Sequence, residues 1–270
     1  SGGTLADLAD HEASGMSLFA IRRLGVDVAG RRLIKGLDAD LPSGRVIALI
    51  GHNGSGKSTL LKALARQMPC TGRVSFEGRD LRDWHPRDYA RRLGYLPQTT
   101  PPAEGMLVRE LVALGRYPWH GALGRIGSRD RQAIALALAE CGLEPMAGRL
   151  VDTLSGGERQ RAWLAMMIAQ QAGTLLLDEP ISALDIAHQV EVLSLVRRMC
   201  HDQGRSAVIV LHDVNMAARF CDHVLALKGG RLVMQGDPDA LMRPAMLARI
   251  YGLGMQVLTR DDGARVAIPA

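Results

Sequence analysis

The feature of the sequence that most constrains the fold is a glycine-rich segment between an apolar run and a helical pattern. Residues 51–59 read GHNGSGKST and fit the pattern G-x-x-x-x-G-K-[ST] in full. The run Val46–Ile50 before it is apolar throughout, as in a buried strand, and leucines at helical spacing follow it. A strand, this loop and a helix in that order predict backbone N–H groups that converge on one anion at a helix N-terminus.

The polar residues of this segment predict how a nucleoside triphosphate is held. Lys57 is expected to reach the β- and γ-phosphates of ATP, and the Ser58 hydroxyl is expected to ligate Mg²⁺. The residues predicted to bind the nucleotide are Gly51, Asn53, Gly54, Ser55, Gly56, Lys57, Ser58 and Thr59. His52 stands at a variable position and is interpreted as a loop residue without a role. The alternative for the whole segment is a strand-to-helix turn that binds no ligand.

Two neighbouring acids follow a second apolar run. Asp178 and Glu179 come directly after Thr174–Leu177, and adjacent carboxylates at the end of a buried strand repel each other unless a cation is close. We therefore predict that Asp178 holds Mg²⁺, directly or through water, and that Glu179 orients or deprotonates the attacking water. The alternative is an acidic turn that ends the strand.

Apolar runs alternate with amphipathic helical patterns along the chain, which is typical of an α/β fold with a mainly parallel sheet. Strands are predicted at residues 46–50, 174–177 and 207–211, and helices at residues 129–141, 158–171 and 188–202. Strand signals are sparse between residues 81 and 154, which predicts a mostly helical insertion. Residues 1–16 and 252–270 are weakly patterned and are interpreted as a tail and an appendage.

Composition and charge argue against several classes of protein. The 270 residues include 33 Lys+Arg and 28 Asp+Glu, a net charge of +5, and 4% aromatic residues, without the basic and aromatic clusters of nucleic-acid binders. The longest apolar run, residues 162–169, is far shorter than the about 20 residues of a membrane-spanning helix. Scattered cysteines and the lack of a signal-peptide pattern are typical of a reducing compartment. We expect no nucleic-acid partner, no disulfide and no membrane span.

A second candidate anion site begins with the string LSGGERQ at residues 154–160. Ser155 and Glu158 have the spacing of a capping box, and Gly156 and Gly157 leave N–H groups of the helix start open. The residues alone favour a well-capped helix and a second phosphate site equally.

LSGGERQ resembles the signature motif of the ABC-transporter ATPases, and the other motifs of that family occur in the family's order over about residues 17–250. The matching segments are residues 51–59 (Walker A), Gln98 (Q-loop), residues 174–179 (Walker B), residues 182–185 (D-loop) and His212 (switch histidine). The resemblance implies that Glu179, His212 and Gln98 are catalytic and that Ser58, Gln98 and Asp178 hold Mg²⁺. It further implies that Ser155 and Gly157 contact the nucleotide of a second copy, and that Gly156, Glu158 and Asp185 also belong to the nucleotide-binding residues.

The same resemblance implies a P-loop NTPase (RecA-like) core with an inserted helical subdomain. By this division residues 1–16 are an N-terminal tail, residues 17–251 the ATPase domain and residues 252–270 a C-terminal extension. The core takes about residues 17–96 and 159–251, and the helical subdomain about residues 97–158. Two copies are expected to pair head to tail, so that each complete site combines the phosphate loop of one with the signature motif of the other.

The sequence departs from the family pattern at two points. Members often stack adenine on an aromatic residue of the first strand region, but residues 24–28 contain none, so an aliphatic surface of Val26 or Val28 is expected instead. Ile181 stands where a threonine is usual, which changes packing beside the D-loop.

Three further strings resemble the ATPases of ferrichrome-type, iron(III)-hydroxamate siderophore importers: WHGALGR at residues 119–125, SALDIAHQV at 182–190 and NMAAR at 215–219. Gly-Arg-Tyr-Pro at residues 115–118 is shared with cobalamin and haem importer ATPases. The resemblance implies a peripheral ATPase on the cytoplasmic face of the inner membrane, with permease subunits and, indirectly, a periplasmic or surface siderophore-binding protein. The alternatives are a haem or cobalamin importer and a soluble ABC-type ATPase acting on nucleic acid or protein assembly. A P-loop kinase or GTPase does not explain LSGGERQ.

Overall fold

The structure, a computed structural model, describes residues 17–121, 125–182 and 184–270. The strands are β1 (Ser17–Val28), β2 (Arg31–Pro42), β3 (Val46–Ile50), β4 (Thr71–Phe76), β5 (Arg79–Asp80), β6 (Leu93–Leu96), β7 (Thr174–Leu177), β8 (Ser206–Val210), β9 (His223–Lys228), β10 (Arg231–Gly236), β11 (Met255–Thr259) and β12 (Arg265–Pro269). The α-helices are α1 (Lys57–Leu64), α2 (Pro86–Arg92), α3 (Val108–Leu114), α4 (Tyr117–His120), α5 (Ser128–Glu140), α6 (Gly156–Ala169), α7 (Ile186–Gln203), α8 (Val214–Phe220), α9 (Pro238–Leu241) and α10 (Pro244–Tyr251).

A six-stranded sheet in the order β10–β9–β3–β8–β7–β6 forms the centre of the fold. Its strands run parallel except β10, which pairs antiparallel with β9. Strands β3, β7 and β8 are buried along their whole length, which explains why their sequences are apolar on both faces. The predicted strands 46–50 and 174–177 are confirmed, and the third begins one residue earlier than predicted.

The two faces of this sheet are covered differently. One face packs against α1 and a second, antiparallel sheet in the order β2–β1–β4–β5. The other face packs against a larger apolar core to which α3, α5, α6 and α7 contribute. The three predicted helices are confirmed with shifts of one or two residues at their ends, and α7 stops before Gly204, whose φ is +67°.

The predicted helical insertion is present between β6 and the start of α6. Helices α3, α4 and α5 lie in it, together with short 3-10 helices at Glu144–Met146 and Val151–Thr153. Within residues 81–154, β6 belongs to the central sheet. Residues 122–124 of the WHGALGR string lie outside the described residues, as do residue 183 of the D-loop and the proposed tail 1–16.

Most of residues 252–270, interpreted from the sequence as a weakly patterned tail or appendage, form regular structure. Strands β11 and β12 pair as an antiparallel hairpin, and Ala267 is buried in the main core. The side chain of Asn215 in α8 donates to the Ala267 carbonyl at 3.1 Å and accepts from its N–H at 2.8 Å. The hairpin is thus attached to the core by apolar packing and by the amide side chain of Asn215, which no periodicity in the sequence reveals.

The order of the elements determines where functional side chains meet. Residues 51–56 follow β3, Gln98 follows β6, Asp178 and Glu179 follow β7, and His212 follows β8. Because the carboxyl ends of parallel strands lie at one edge of a sheet, these residues converge there. A search of the described helices found none both long and apolar enough to cross a bilayer.

Candidate functional site

The glycine-rich loop closes tightly around the ammonium group of Lys57. Gly51 has φ +138°, and a Cβ on it would lie 2.1 Å from the Leu227 carbonyl, so only glycine fits there. Lys57 is buried, and its Nζ donates to the carbonyls of Gly51 at 2.7 Å and His52 at 2.9 Å. Burial lowers the pKa of Lys57, and the nearby carboxylates Glu179 and Asp178 partly oppose this shift.

The loop is joined to the end of β7 by one hydrogen bond. Ser58 Oγ donates to Asp178 Oδ1 at 2.8 Å, and Asp178 is 1% exposed. Burial raises the pKa of Asp178, whereas the Ser58 hydrogen bond acts in the opposite direction. A hydroxyl and a buried carboxylate in contact are hard oxygen ligands of the kind that Mg²⁺ prefers, so these residues fit the predicted ion.

Glu179 is held by the two other predicted catalytic residues. Its Oε1 lies 2.7 Å from His212 Nε2, and its Oε2 accepts from Gln98 Nε2 at 2.8 Å. The backbone of Glu179 has φ +52°, a left-handed conformation that is strained for a side chain of this kind. Both oxygens are therefore oriented from separate strand ends, at a carboxylate that stays 13% exposed.

Most of these side chains border a cavity of about 380 Å³, whereas Asp178 does not line it and reaches it only through its bond to Ser58. Its lining residues are Leu33, Asn53, Gly54, Gly56, Lys57, Ser58, Thr59, Gln98, Glu179 and His212. Gly51 and Ser55 are not among them. The Ser55 hydroxyl is buried with no hydrogen-bond partner among the described residues. The backbone N–H of Ser55 donates to the His52 carbonyl at 3.1 Å.

The structure corrects the expected aliphatic surface for the adenine ring. Val26 is fully buried in the core beneath the antiparallel sheet, so the expectation that it meets the base is wrong. Val28 is 38% exposed but does not line the cavity. Among the described residues, Leu33 of β2 is the one apolar side chain that lines the cavity. Its sequence position gave no indication of this, because it looks like any other leucine of a strand.

His52 has a contact that its variable position did not suggest. Its Nε2 lies 2.5 Å from the Tyr251 carbonyl, and the two rings meet edge to face at 5.6 Å. The interpretation of His52 as a residue without a role is therefore wrong in structural terms, because it ties the loop to the end of α10. The two residues are far apart in sequence, so no local pattern could have indicated this contact.

The signature segment lies apart from the cavity. Ser155 caps α6: its N–H donates to Glu158 Oε2 at 2.8 Å, and its Oγ accepts from the Glu158 N–H at 3.3 Å, so the predicted capping box is confirmed. The backbone of Ser155 holds the pKa of Glu158 below its usual range. Ser155, Gly156, Gly157, Glu158 and Asp185 are all described residues, and none of them lines the cavity.

Comparisons with known proteins identify the family of the chain. The family model described as "ABC transporter" matches residues 34–182. The iron(3+)-hydroxamate import ATP-binding protein FhuC of Bacillus subtilis (strain 168) is 39% identical over 245 residues, which cover 90% of this chain and 91% of FhuC. The hemin import ATP-binding protein HmuV of Nocardia farcinica (strain IFM 10152) is 41% identical over 251 residues, which cover 92% of this chain and 86% of HmuV.

A solved structure gives the same result for the fold. A chain from an inward-facing conformation of a metal-chelate type ABC transporter aligns with a TM-score of 0.82 at 26% identity, over 94% of this chain and 98% of that chain. The chain described here therefore belongs to the ATP-binding proteins of the ABC transporter family.

Proposed function

We propose that the chain is the ATP-hydrolysing subunit of an importer that drives uptake of an iron(III)-siderophore of the hydroxamate type. The observation that carries the ATPase part is the clustering of Lys57, the Ser58–Asp178 pair and the doubly held Glu179 around one cavity. The substrate part rests on the likeness to FhuC and on the strings at residues 119–125, 182–190 and 215–219.

In this proposal each residue of the cavity has a task. Lys57 leaves the loop carbonyls for the β- and γ-phosphates, and the remaining N–H groups of residues 51–59 hold the other phosphate oxygens. Ser58, Asp178 and the amide oxygen of Gln98 would hold Mg²⁺, which would neutralise charge on the phosphates. Glu179 orients the attacking water and accepts its proton, while His212 and Gln98 keep its carboxylate in place.

Two copies are proposed to complete each other's sites. Ser155 and Gly156 are exposed at the N-terminus of a 14-residue helix, where N–H groups and the helix dipole favour an anion. Ile186, next to Asp185, is 73% exposed, and a partner subunit would cover it. The nucleotide held by one copy would then lie between its own phosphate loop and the signature turn of the second copy.

A permease is proposed to dock near α4. Trp119 is anchored there: its Nε1 donates to the Gln170 carbonyl at 2.7 Å, and the Arg91 and Arg116 guanidiniums lie 5.3 and 5.0 Å from its ring. Tyr117 is 57% exposed on the same short helix. A fixed helix with an exposed aromatic residue suits a protein partner. With a permease bound at α4, the proposal has the chain on the cytoplasmic face of the inner membrane and a siderophore-binding protein acting on the far side.

Uptake by cells that lack this chain tests the substrate. Radiolabelled ferric hydroxamate, haem and cobalamin are each supplied, and the cells are complemented with the wild-type chain or with Glu179→Gln. We expect hydroxamate uptake to be lost and restored by the wild type alone. Haem import is the second candidate, because the sequence identity of this chain to HmuV is as high as its identity to FhuC. Selective loss of haem uptake would support haem import instead.

Co-purification tests the class of function. The importer proposal predicts a polytopic membrane protein bound to the chain in detergent extracts, and loss of this protein when Tyr117→Ser is introduced. Nucleic acid in place of a membrane protein would contradict the proposal and support the nucleic-acid alternative.

A further inference from the structure

The two glycines of the signature turn have different surroundings. Gly156 is exposed, and a Cβ built on it would meet nothing within 4 Å. Gly157 is buried, and a Cβ there would lie 2.7 Å from Cδ2 and 2.9 Å from Cγ of His188 in α7. The backbone of Gly157 is helical, so the need for glycine comes from the His188 ring that lies against it.

The same ring also holds Asp185. Asp185 Oδ1 accepts from the His188 N–H at 3.0 Å and lies 2.8 Å from His188 Nδ1. These two hydrogen bonds keep the pKa of Asp185 below its usual range, so the carboxylate is ionised at neutral pH. An ionised carboxylate only accepts, so Nδ1 carries the hydrogen and the orientation of the ring is determined.

A second contact reinforces this junction one helical turn further along. Arg161 Nη1 of α6 donates to Glu191 Oε2 of α7 at 3.0 Å. Gly157 and Arg161 are four residues apart on α6, and His188 and Glu191 are three apart on α7, so both pairs lie on facing helix surfaces. The start of α6 is thus fixed to α7 by a ring contact and an ion pair.

We propose that His188 is a positioning residue that fixes the exposed face of the signature turn relative to Asp185 within one subunit. The inference rests on the head-to-tail dimer of the proposed function. A turn and a carboxylate that are already held in register present one preformed surface to the nucleotide of the second copy, which reduces the ordering cost of association. His188 itself does not line the cavity in which the chain's own nucleotide is proposed to bind.

The test separates dimer formation from nucleotide binding. The full chain carrying Glu179→Gln is given ATP and Mg²⁺, and the dimer dissociation constant is measured by analytical ultracentrifugation. Adding His188→Ala is expected to weaken the dimer about tenfold or more, because a hydrogen bond to a charged group is lost. Affinity of the monomer for a fluorescent ATP analogue should stay unchanged. His188→Asn, whose amide can donate to Asp185, should recover part of the dimer.

A suppression experiment distinguishes positioning from general destabilisation. Gly157→Ala is expected to weaken the dimer, because its methyl group collides with the His188 ring. Gly157→Ala combined with His188→Ala removes the collision and should form dimers better than Gly157→Ala alone. A double variant no better than Gly157→Ala would overturn the inference.

Two outcomes separate this inference from the proposed function. If the Glu179→Gln parent stayed monomeric with ATP, the proposed dimer would be wrong, and the role proposed for His188 would be wrong as well. If the parent dimerised and the His188→Ala variant dimerised equally well, the role of His188 alone would be wrong.

Discussion

The cavity beside the phosphate loop and the signature turn at the start of α6 are built in opposite ways. Around the cavity, buried polar groups satisfy one another across four strand ends, as in the Lys57 contacts, the Ser58–Asp178 pair and the held Glu179. At the signature turn, hydrogen bonds are local: Ser155 and Glu158 bond to each other, and the outer face of Gly156 is open.

In the proposed function, this difference separates the region that carries out the chemistry from the region that completes the site. A buried carboxylate and a buried ammonium cost stability and are retained where charge must be handled. A capped helix start with a free outer face costs nothing to maintain and binds an anion only when one is brought to it.

Glu179→Gln is expected to reduce ATP turnover by about 10²- to 10⁴-fold, because the amide cannot accept a proton from water. ATP binding should persist, since Lys57, Ser58 and Asp178 are untouched. Steady-state phosphate release and nucleotide titration measure the two effects. Glu144→Gln, an exposed residue outside the cavity, is the matched control. Near-normal turnover in Glu179→Gln would refute the assigned role.

Lys57→Ala is expected to weaken ATP binding by about 10- to 100-fold, the loss typical of charge-assisted hydrogen bonds. Isothermal titration with ATP measures it, and Lys35→Ala on the exposed face of β2 is the control. An unchanged dissociation constant for ATP would count against a nucleotide in this loop.

Ser155→Ala is expected to lower the free energy of unfolding by about 1 kcal/mol, because α6 loses its N-cap. The affinity of the monomer for ATP should not change. Urea denaturation measures the free energy of unfolding, with Ser128→Ala in the exposed first turn of α5 as the control. A fall in monomer ATP affinity would mean that the two regions are not separate within one chain.

Asp178→Asn is expected to abolish hydrolysis yet leave the protein equally stable or up to about 1 kcal/mol more stable. Burial raises the pKa of Asp178, so the folded state binds a proton more tightly than the unfolded state. The wild-type protein therefore loses stability as the pH rises above 3.8, the ordinary pKa of this carboxyl group. The Asp178→Asn variant has no carboxyl group here and does not show this loss. Thermal unfolding across pH measures the difference, which should grow from pH 3.8 up to the raised pKa of the folded state and stay constant above it. A variant clearly less stable than the wild type at pH 7 would oppose this account.

The sequence predicted those parts whose signal is local. Strands β3 and β7 and the loop after β3 are continuous apolar or glycine-rich runs, and the capping box of Ser155 and Glu158 spans four residues. The sheet of β1, β2, β4 and β5 was not predicted, although residues 37–41 of β2 alternate between buried and exposed and only Ala29 and Gly30 separate β1 from β2. The C-terminal hairpin was also missed, although its two strands lie close together in the sequence.

Contacts between distant residues explain the remaining errors at the site. His52 meets Tyr251 and Asn215 meets Ala267 through tertiary packing alone. Leu33 lines the cavity because β2 passes beside the loop, whereas Val26, on the neighbouring strand, faces the core. The convergence of Gln98, Glu179 and His212 was predictable only through the family resemblance, since no spacing relates them.

Mixing two inactive variants tests most directly whether a complete site needs two copies. Dimers of Lys57→Ala with Ser155→Ala contain one site with an intact phosphate loop facing an intact signature turn, and one site with neither. Equal mixing should restore up to about a quarter of wild-type turnover, because half of the dimers are mixed and each has one intact site. Cross-linked mixed dimers that stay as inactive as either variant alone would contradict the division of the site between two copies.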